Sequence, residues 1–267
     1  MSENAERPGG GLGRLAREIW QTIYDVVVTA LWAVALALVI RTFAFEPFRI
    51  PSGSMLPGLW VGDYLFVSKY SYGYSRYAFP FGASTSPWNP FQFEGRLLPG
   101  APERGDVAVF RQPINPKIDY IKRVIGLPGD RIQMIEGLLH INGEPIKRER
   151  IEDFIENEEG GRTTRVKRWR ETLPNGVSYT TLDLIDNGFY DNTQDYVVPA
   201  GHYFMMGDNR DDSTDSRTLA AVGYVPAQNL IGRAEFLFFS TDGSAEIWEV
   251  WKWPFAIRYG RLLMGVR

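Results

Sequence analysis

Two short segments of the chain carry residue types that could perform chemistry. Residues 51–55 (PSGSM) place two hydroxyl groups around one glycine, a composition that by itself is typical of a turn. Lys122 lies within a run of large apolar residues, 118–125 (IDYIKRVI). Burial and the like charge of Arg123 would lower the pKa of this lysine and make its amine a base, whereas a lysine that faces solvent would have no such role. Both alternatives stay open at this point.

A third segment, residues 207–217 (GDNRDDSTDSR), is dense in carboxylate, amide, guanidinium and hydroxyl groups. Such a run favours a solvated loop or a calcium-binding loop. The spacing of an EF-hand loop is absent, which argues against calcium. A chemical role for this segment therefore depends on what the fold brings to it.

The composition excludes several other kinds of active site. The chain has 267 residues, no cysteine and two histidines, so thiol nucleophiles, disulfides and thiolate metal sites are excluded. The 29 basic and 32 acidic residues nearly cancel, which argues against a dedicated nucleic-acid-binding protein. Walker, G-x-S-x-G, S-x-x-K and H-E-x-x-H motifs are absent. We therefore expect no metal, no cofactor and no nucleic-acid partner.

The N-terminal region predicts a single membrane anchor. Residues 26–40 are uncharged, and apolar and aromatic flanks extend them to a predicted transmembrane helix over 23–43, after a short cytoplasmic segment, 1–22. Three arginines precede the helix and predict that its N-terminus is cytoplasmic, although two more follow it and weaken the bias: Arg7, Arg14 and Arg17, then Arg41 and Arg49. A cleaved signal peptide and the buried helix of a soluble protein are the alternatives, and no small-residue cleavage site follows promptly.

The rest of the chain predicts strands. Short runs rich in β-branched and aromatic residues alternate with Gly, Pro and Asp. The clearest predicted strands are 63–70, 106–111, 118–125, 131–135, 138–141, 202–206 and 233–240. Glu136-Gly137 and Asn142-Gly143 fall at hairpin turns. Because no strand is followed by a helix of crossover length, we predict a mostly β fold with antiparallel sheets. Residues 144–170 carry many charges of both signs and predict a solvated insertion.

Taken together and in order, these segments resemble the bacterial type I signal peptidases. The resemblance rests on P-S-G-S-M-x-P, then G-D before a strand, then R-G-D-V with D-Y-I-K-R-V-I-G-L-P-G-D, and then G-D-N-R-D-x-S-x-D-S-R. It extends from about residue 45 to about residue 240. It implies an antiparallel catalytic core, 44–130 and 200–240, with a β-rich insertion, 131–199. One transmembrane helix would precede this core, and a membrane-proximal segment, 241–267, would end the chain.

The resemblance also implies roles for individual residues. Ser54 would be the nucleophile and Lys122 the general base of a serine endopeptidase. Ser52 would complete an oxyanion hole with the Ser54 backbone N–H, and Ser213 would orient the lysine. The implied supporting residues are Arg123, Asp215 and Arg217. The implied walls of two shallow pockets for small substrate residues are Phe48, Ile50, Pro51, Met55, Leu59, Leu65, Val109, Asp119, Tyr120 and Ile121.

The implied function is removal of signal peptides from exported pre-proteins after small residues at positions −1 and −3. The implied location is the bacterial cytoplasmic membrane, with a single pass, the catalytic domain on the extracytoplasmic side, and contact with the lipid bilayer near the export machinery. A self-cleaving Ser-Lys regulator is one alternative, which the anchor and the lack of a DNA-binding helix pair disfavour. A non-enzymatic, membrane-tethered module is the other, and in it Ser54 and Lys122 would be incidental.

Overall fold

The structure is a computed structural model that describes residues 10–79, 88, 93–157, 163–245 and 248–266. The chain divides into two compact units, Met1–Phe43 and Ala44–Arg267. The first contains helix α1, and the second contains every strand of the described residues together with the short helix α2, Trp253–Ala256.

Helix α1 runs from Gly10 to Phe43 and has the length and composition of a membrane-spanning helix. Its 34 residues extend about 50 Å at a rise of ~1.5 Å per residue, more than the ~30 Å hydrocarbon core of a bilayer. Its apolar part, Gly13–Phe43, reaches a mean hydropathy of 2.3. The most apolar stretch of this part is not buried at all, so the alternative of a buried core helix is wrong. The predicted anchor, 23–43, is the second part of this longer helix.

The second unit is mostly β, and all of its paired strands are antiparallel. In chain order the strands are β1 (Phe45–Arg49), β2 (Asp63–Ser68), β3 (Tyr74–Ser75), β4 (Arg96–Leu97), β5 (Val107–Arg111), β6 (Asp119–Gly126), β7 (Arg131–Ile135), β8 (Leu138–Ile141), β9 (Glu144–Pro145), β10 (Lys147–Arg150), β11 (Phe154–Asn157), β12 (Thr163–Thr172), β13 (Ser178–Asp183), β14 (Tyr196–Val197), β15 (His202–Met206), β16 (Val225–Pro226) and β17 (Leu230–Ser240).

The largest sheet has seven strands in the order β1-β2-β17-β5-β6-β15-β16. Its centre is covered on both faces, because alternate residues of β5 enter two different hydrophobic clusters: Val107 and Val109 join one, and Ala108 and Phe110 join the other. Strand β6 lies beside β5 and is buried from Lys122 to its end. A charged residue in this part of β6 therefore lies in the interior.

Two four-stranded sheets follow in the region 131–199. One has the order β14-β7-β8-β9, and its two hairpin turns have positive φ at both central residues, as type I′ turns require: Glu136-Gly137 and Asn142-Gly143. The other contains β10–β13, so most of the described part of the charged run 144–170 is regular sheet, and much of it is exposed to solvent. The division of the unit into a catalytic core and an insertion stays a prediction.

Candidate active site

Ser54 and Lys122 lie side by side although 68 residues separate them in the chain. The Lys122 Nζ atom donates a hydrogen bond of 2.5 Å to the Ser54 Oγ atom. Ser54 belongs to the turn after β1, and Lys122 lies on β6. Their side chains are 8% and 4% exposed, so the solvent-facing alternative for Lys122 is wrong.

The environment of Lys122 lowers the pKa of its amine and so raises the fraction that is neutral. The pKa of Lys122 is lowered to about 8, and burial is the largest cause. The Arg217 guanidinium also lowers this pKa, whereas the carboxylates of Asp215, Asp208 and Asp212 raise it. A neutral amine carries a lone pair and can accept a proton from the serine hydroxyl in contact with it. The pair therefore has the geometry and the electrostatics of a nucleophile and its base.

Two potential hydrogen-bond donors lie close to the Ser54 hydroxyl. The Ser52 Oγ atom is 3.4 Å from the Ser54 Oγ atom. The backbone N–H of Ser54 donates to no acceptor within the part of the chain that the structure describes. A side-chain hydroxyl and a backbone N–H with this placement could stabilise an oxyanion that forms at a carbonyl attacked by Ser54.

The segment 207–217, called the catalytic segment below, packs directly against the Ser54 turn. Asn209 donates twice to it, from its backbone N–H to the Ser54 carbonyl at 3.1 Å and from its Nδ2 atom to the Gly53 carbonyl at 3.2 Å. Gly207 allows this close packing, because a Cβ atom there would lie 2.2 Å from the Ser213 Oγ atom and 2.6 Å from the Ser54 carbonyl oxygen. The turn that carries Ser54 is therefore fixed by backbone contacts.

Buried ion pairs occupy most of the charged groups of this segment. Arg123 donates to both carboxylate oxygens of Asp208 at 2.8 and 2.7 Å, and Arg217 donates to both oxygens of Asp215 at 2.9 Å. Burial alone would raise the pKa of Asp215, but Arg217 and two backbone N–H groups outweigh it and lower that pKa. The segment is thus neither a solvated loop nor a free set of calcium ligands.

Ser213 does not make the expected contact with the lysine. Its side chain is buried and lines the same cavity as Lys122, but its hydroxyl has no hydrogen-bond partner within the described residues. The hydrogen bond from Lys122 goes to Ser54 instead. The predicted Ser213–Lys122 hydrogen bond is therefore absent from this structure.

Ser54 and Lys122 both line a cavity of about 600 Å³. Four of the ten residues expected to bind substrate line it: Pro51, Asp119, Tyr120 and Ile121. The other six do not line this cavity. Phe48 packs against a hydrophobic core cluster, and the other five belong to it: Ile50, Met55, Leu59, Leu65 and Val109. Leu65 of β2 and Val109 of β5 are buried because the face of the sheet that carries them is covered by this cluster. A substrate contact by these six stays a prediction.

The cavity also has residues that sequence reasoning missed. Asp211, Asp212, Thr214 and Thr218 line it, and all four lie within or directly after the motif 207–217, which could have indicated them. Tyr190 lines it as well, from a region between β13 and β14 where no sequence signal distinguished it.

Asp212→Asn is expected to shift the pH dependence of catalysis toward lower pH. The Asp212 carboxylate raises the pKa of Lys122, so its removal increases the neutral fraction of the amine at pH 7. Activity at pH 7 should rise about 2- to 3-fold, while activity well above pH 8 should not change. A pH–rate profile on a peptide substrate measures this shift, and an unchanged profile would contradict the electrostatic role of Asp212.

Comparisons with known proteins indicate the family of the chain. Residues 23–239 match the family model described as signal peptidase, peptidase S26. The signal peptidase I of Rickettsia typhi is 42% identical over 227 residues, which are 83% of this chain and 82% of the relative. That of Rickettsia canadensis is 44% identical over 216 residues, 79% of this chain and 77% of the relative. A crystal structure of a signal peptidase I from Enterococcus faecalis V583 is 26% identical, covers 50% of this chain and 96% of its own, and has a TM-score of 0.29.

The family model spans most of the chain, and the curated relatives exceed 40% identity over more than three quarters of it. The alternative of a non-enzymatic module is therefore excluded. The chain belongs to the signal peptidase family, peptidase S26, and is a serine endopeptidase of that type.

Proposed function

We propose that the chain removes N-terminal signal peptides from exported pre-proteins by a Ser-Lys mechanism and cuts after small residues at −1 and −3. The observation that carries this proposal is the buried 2.5 Å hydrogen bond between Lys122 Nζ and Ser54 Oγ. The names of the relatives, signal peptidase I, support the substrate class.

In this mechanism Lys122, as a neutral amine, takes the proton of Ser54 while the Ser54 Oγ atom attacks the scissile carbonyl carbon. The Ser54 backbone N–H and the Ser52 hydroxyl donate to the oxyanion of the tetrahedral intermediate. The Lys122 ammonium then gives its proton to the leaving amine, and the C–N bond breaks to leave an acyl-enzyme on Ser54. A water molecule attacks the ester, with Lys122 again as the base, and releases the signal peptide.

The free edge of β6 supports binding of the pre-protein as an added strand. Strand β15 pairs with Arg123, Val124 and Gly126 of β6, whereas no described strand pairs with residues 119–122 on that side. An extended peptide that pairs there would place every second side chain on the same face, so residues −1 and −3 would point the same way. Pro51, Tyr120 and Ile121 line the cavity at this edge and leave room for small side chains.

The proposed location is the bacterial cytoplasmic membrane. Helix α1 and the bacterial relatives fit a single-pass inner-membrane protein. We place the second unit on the extracytoplasmic side, because Arg14 and Arg17 lie at the N-terminal end of α1 and basic residues favour the cytoplasm. The pre-protein, the bilayer and the neighbouring export machinery are then its partners.

The experiment that tests the proposal is cleavage of a synthetic signal peptide with Ala-x-Ala at −3 to −1 by purified protein in detergent. We expect cleavage by the wild type and none by Ser54→Ala. A peptide with Leu at −1 should be cut at least about 10-fold more slowly, because a rigid pocket for a small residue is overpacked by a larger one. Cleavage by Ser54→Ala, or equal rates on both peptides, would contradict the proposal.

Ser52→Ala is expected to lower kcat by about 10²–10³-fold with little change in KM, because the hydroxyl acts on charge that develops only in the transition state. Steady-state kinetics on the same peptide measure both constants. Ser244→Ala, which changes a serine outside the cavity, is the matched control and should retain wild-type kinetics. A loss carried by KM alone would instead assign Ser52 to substrate binding.

A further inference from the structure

We propose that a second cavity, adjacent to the catalytic one, binds the mature-side segment of the pre-protein through Phe189 and Leu219. This inference rests on the proposed function. The cavity has a volume of about 460 Å³, and its walls include Phe189, Tyr190, Arg217, Thr218 and Leu219. It lies outside the set of residues that the sequence resemblance connects with substrate.

The two cavities are adjacent, because Tyr190 and Thr218 line both of them. The Tyr190 hydroxyl and the Thr218 Oγ1 atom form a hydrogen bond of 2.5 Å. The Tyr190 ring also packs on the Arg217 guanidinium, whose Cζ atom lies 4.8 Å from the centre of the ring. Arg217 is in turn paired with buried Asp215. The shared wall is therefore attached to the same ion pair that supports the catalytic segment.

The chemistry of the second cavity favours an apolar peptide. Phe189 is 89% exposed and Leu219 is 45% exposed, so both offer apolar surface that a ligand could cover. The Phe189 ring packs edge-on against Tyr190 with ring centres 4.9 Å apart, which limits its movement. Among the described residues of the walls, Arg217 alone is charged, and its charge is already paired. The other polar residues of the walls, Asn192, Thr193 and Gln194 among them, are uncharged, so an ionic ligand would find no unpaired opposite charge there.

The position of the cavity assigns its occupant. Residues −1 and −3 of the substrate are proposed to pair with the β6 edge, which forms one wall of the catalytic cavity. The chain beyond the scissile bond leaves past another wall, and the second cavity lies next to the wall made by Tyr190 and Thr218. The occupant is thus the first few residues of the mature protein, and apolar side chains among them should increase affinity.

The test uses the full chain in detergent and two peptides that are identical through position +1. One has Leu and Phe at +2 to +4, and the other has Ser at these positions. We expect kcat/KM of the wild type to be about 10-fold higher for the apolar peptide, mainly through KM, because a partly buried Phe or Leu side chain contributes a factor of this size. Phe189→Ser and Leu219→Ser should each reduce this preference toward unity and leave the rate on the Ser peptide unchanged.

Ile155→Ser is the matched control, since Ile155 is an exposed apolar residue outside both cavities, and it should keep the full preference. A preference that survives Phe189→Ser, or equal losses on both peptides, would overturn the assignment of the second cavity. Equal cleavage of both peptides by the wild type would also overturn it while leaving the proposed function intact. Cleavage of neither peptide would contradict the proposed function itself.

Discussion

Lys122→Arg is expected to be as inactive as Lys122→Ala, with kcat lower by about 10⁴-fold or more. Arginine keeps its proton in proteins and cannot accept the Ser54 proton, even though it retains the positive charge. Its planar guanidinium is also larger than the ammonium that contacts Ser54 Oγ in this buried site. Cleavage of the Ala-x-Ala peptide by purified variants measures the loss, with circular dichroism to confirm folding.

The pH profile adds a second readout. The base acts only when deprotonated, and burial lowers the pKa of Lys122 to about 8, so wild-type activity should rise as pH increases through that value. Lys69→Arg is the matched control, because Lys69 is also a buried lysine but does not line the catalytic cavity. It should retain kcat per folded molecule. Substantial activity of Lys122→Arg would remove Lys122 as the base.

Local patterns were sufficient to predict much of the fold. All seven predicted strands are present, with ends within three residues of the predicted ones, because each combines β-branched or aromatic residues with a clear turn signal. The Asn-Gly and Glu-Gly turns form where predicted, since these residues tolerate the positive φ that the hairpins need. The positions of Ser54 and Lys122 within long motifs likewise allowed their pairing to be predicted.

Burial could not be predicted in the same way. Alternation indicates which residues of a strand share a face, but the elements that cover each face come from distant parts of the chain. Lys122 and Arg123 point to opposite faces of β6, and both are buried. For the same reason, the membership of Ile50 and Leu65 in a hydrophobic core cluster could not be predicted, and their contact with substrate stays a prediction.

The individual strands β10–β13 within the expected β-rich insertion were not predicted, because the contacts that stabilise their sheet join residues far apart in sequence. Arg148 of β10 pairs with Asp183 of β13, and Glu171 of β12 pairs with Arg210 of the catalytic segment. Residue composition alone cannot distinguish such pairs from charges in solvent. The strand β13 also reaches the catalytic segment through its backbone, since Leu182 N–H donates to the Asp208 carbonyl and Arg210 N–H donates to the Leu182 carbonyl, both at about 3 Å.

Glu171→Ala is expected to lower the free energy of unfolding by about 3–5 kcal/mol, because it leaves the Arg210 charge buried without its partner. Glu171 is fully buried and accepts hydrogen bonds from Arg210 and from the Tyr179 hydroxyl. Arg210 adjoins Asn209, which fixes the Ser54 turn, so kcat should also fall by about 10- to 100-fold through misplacement of the nucleophile. Urea unfolding and peptide cleavage measure the two effects.

Two further variants separate a buried charge from a general effect of changing this sheet. Glu149→Ala removes an exposed ion pair with Lys147 on the neighbouring strand β10 and should change neither stability nor kcat. The double variant Glu171→Leu with Arg210→Met removes both buried charges and should be more stable than Glu171→Ala, because no unpaired charge remains. If Glu171→Ala unfolds at the wild-type urea concentration, the pair does not couple the charged sheet to the catalytic segment. If the double variant is the least stable of the three, packing and not the unpaired charge determines the loss.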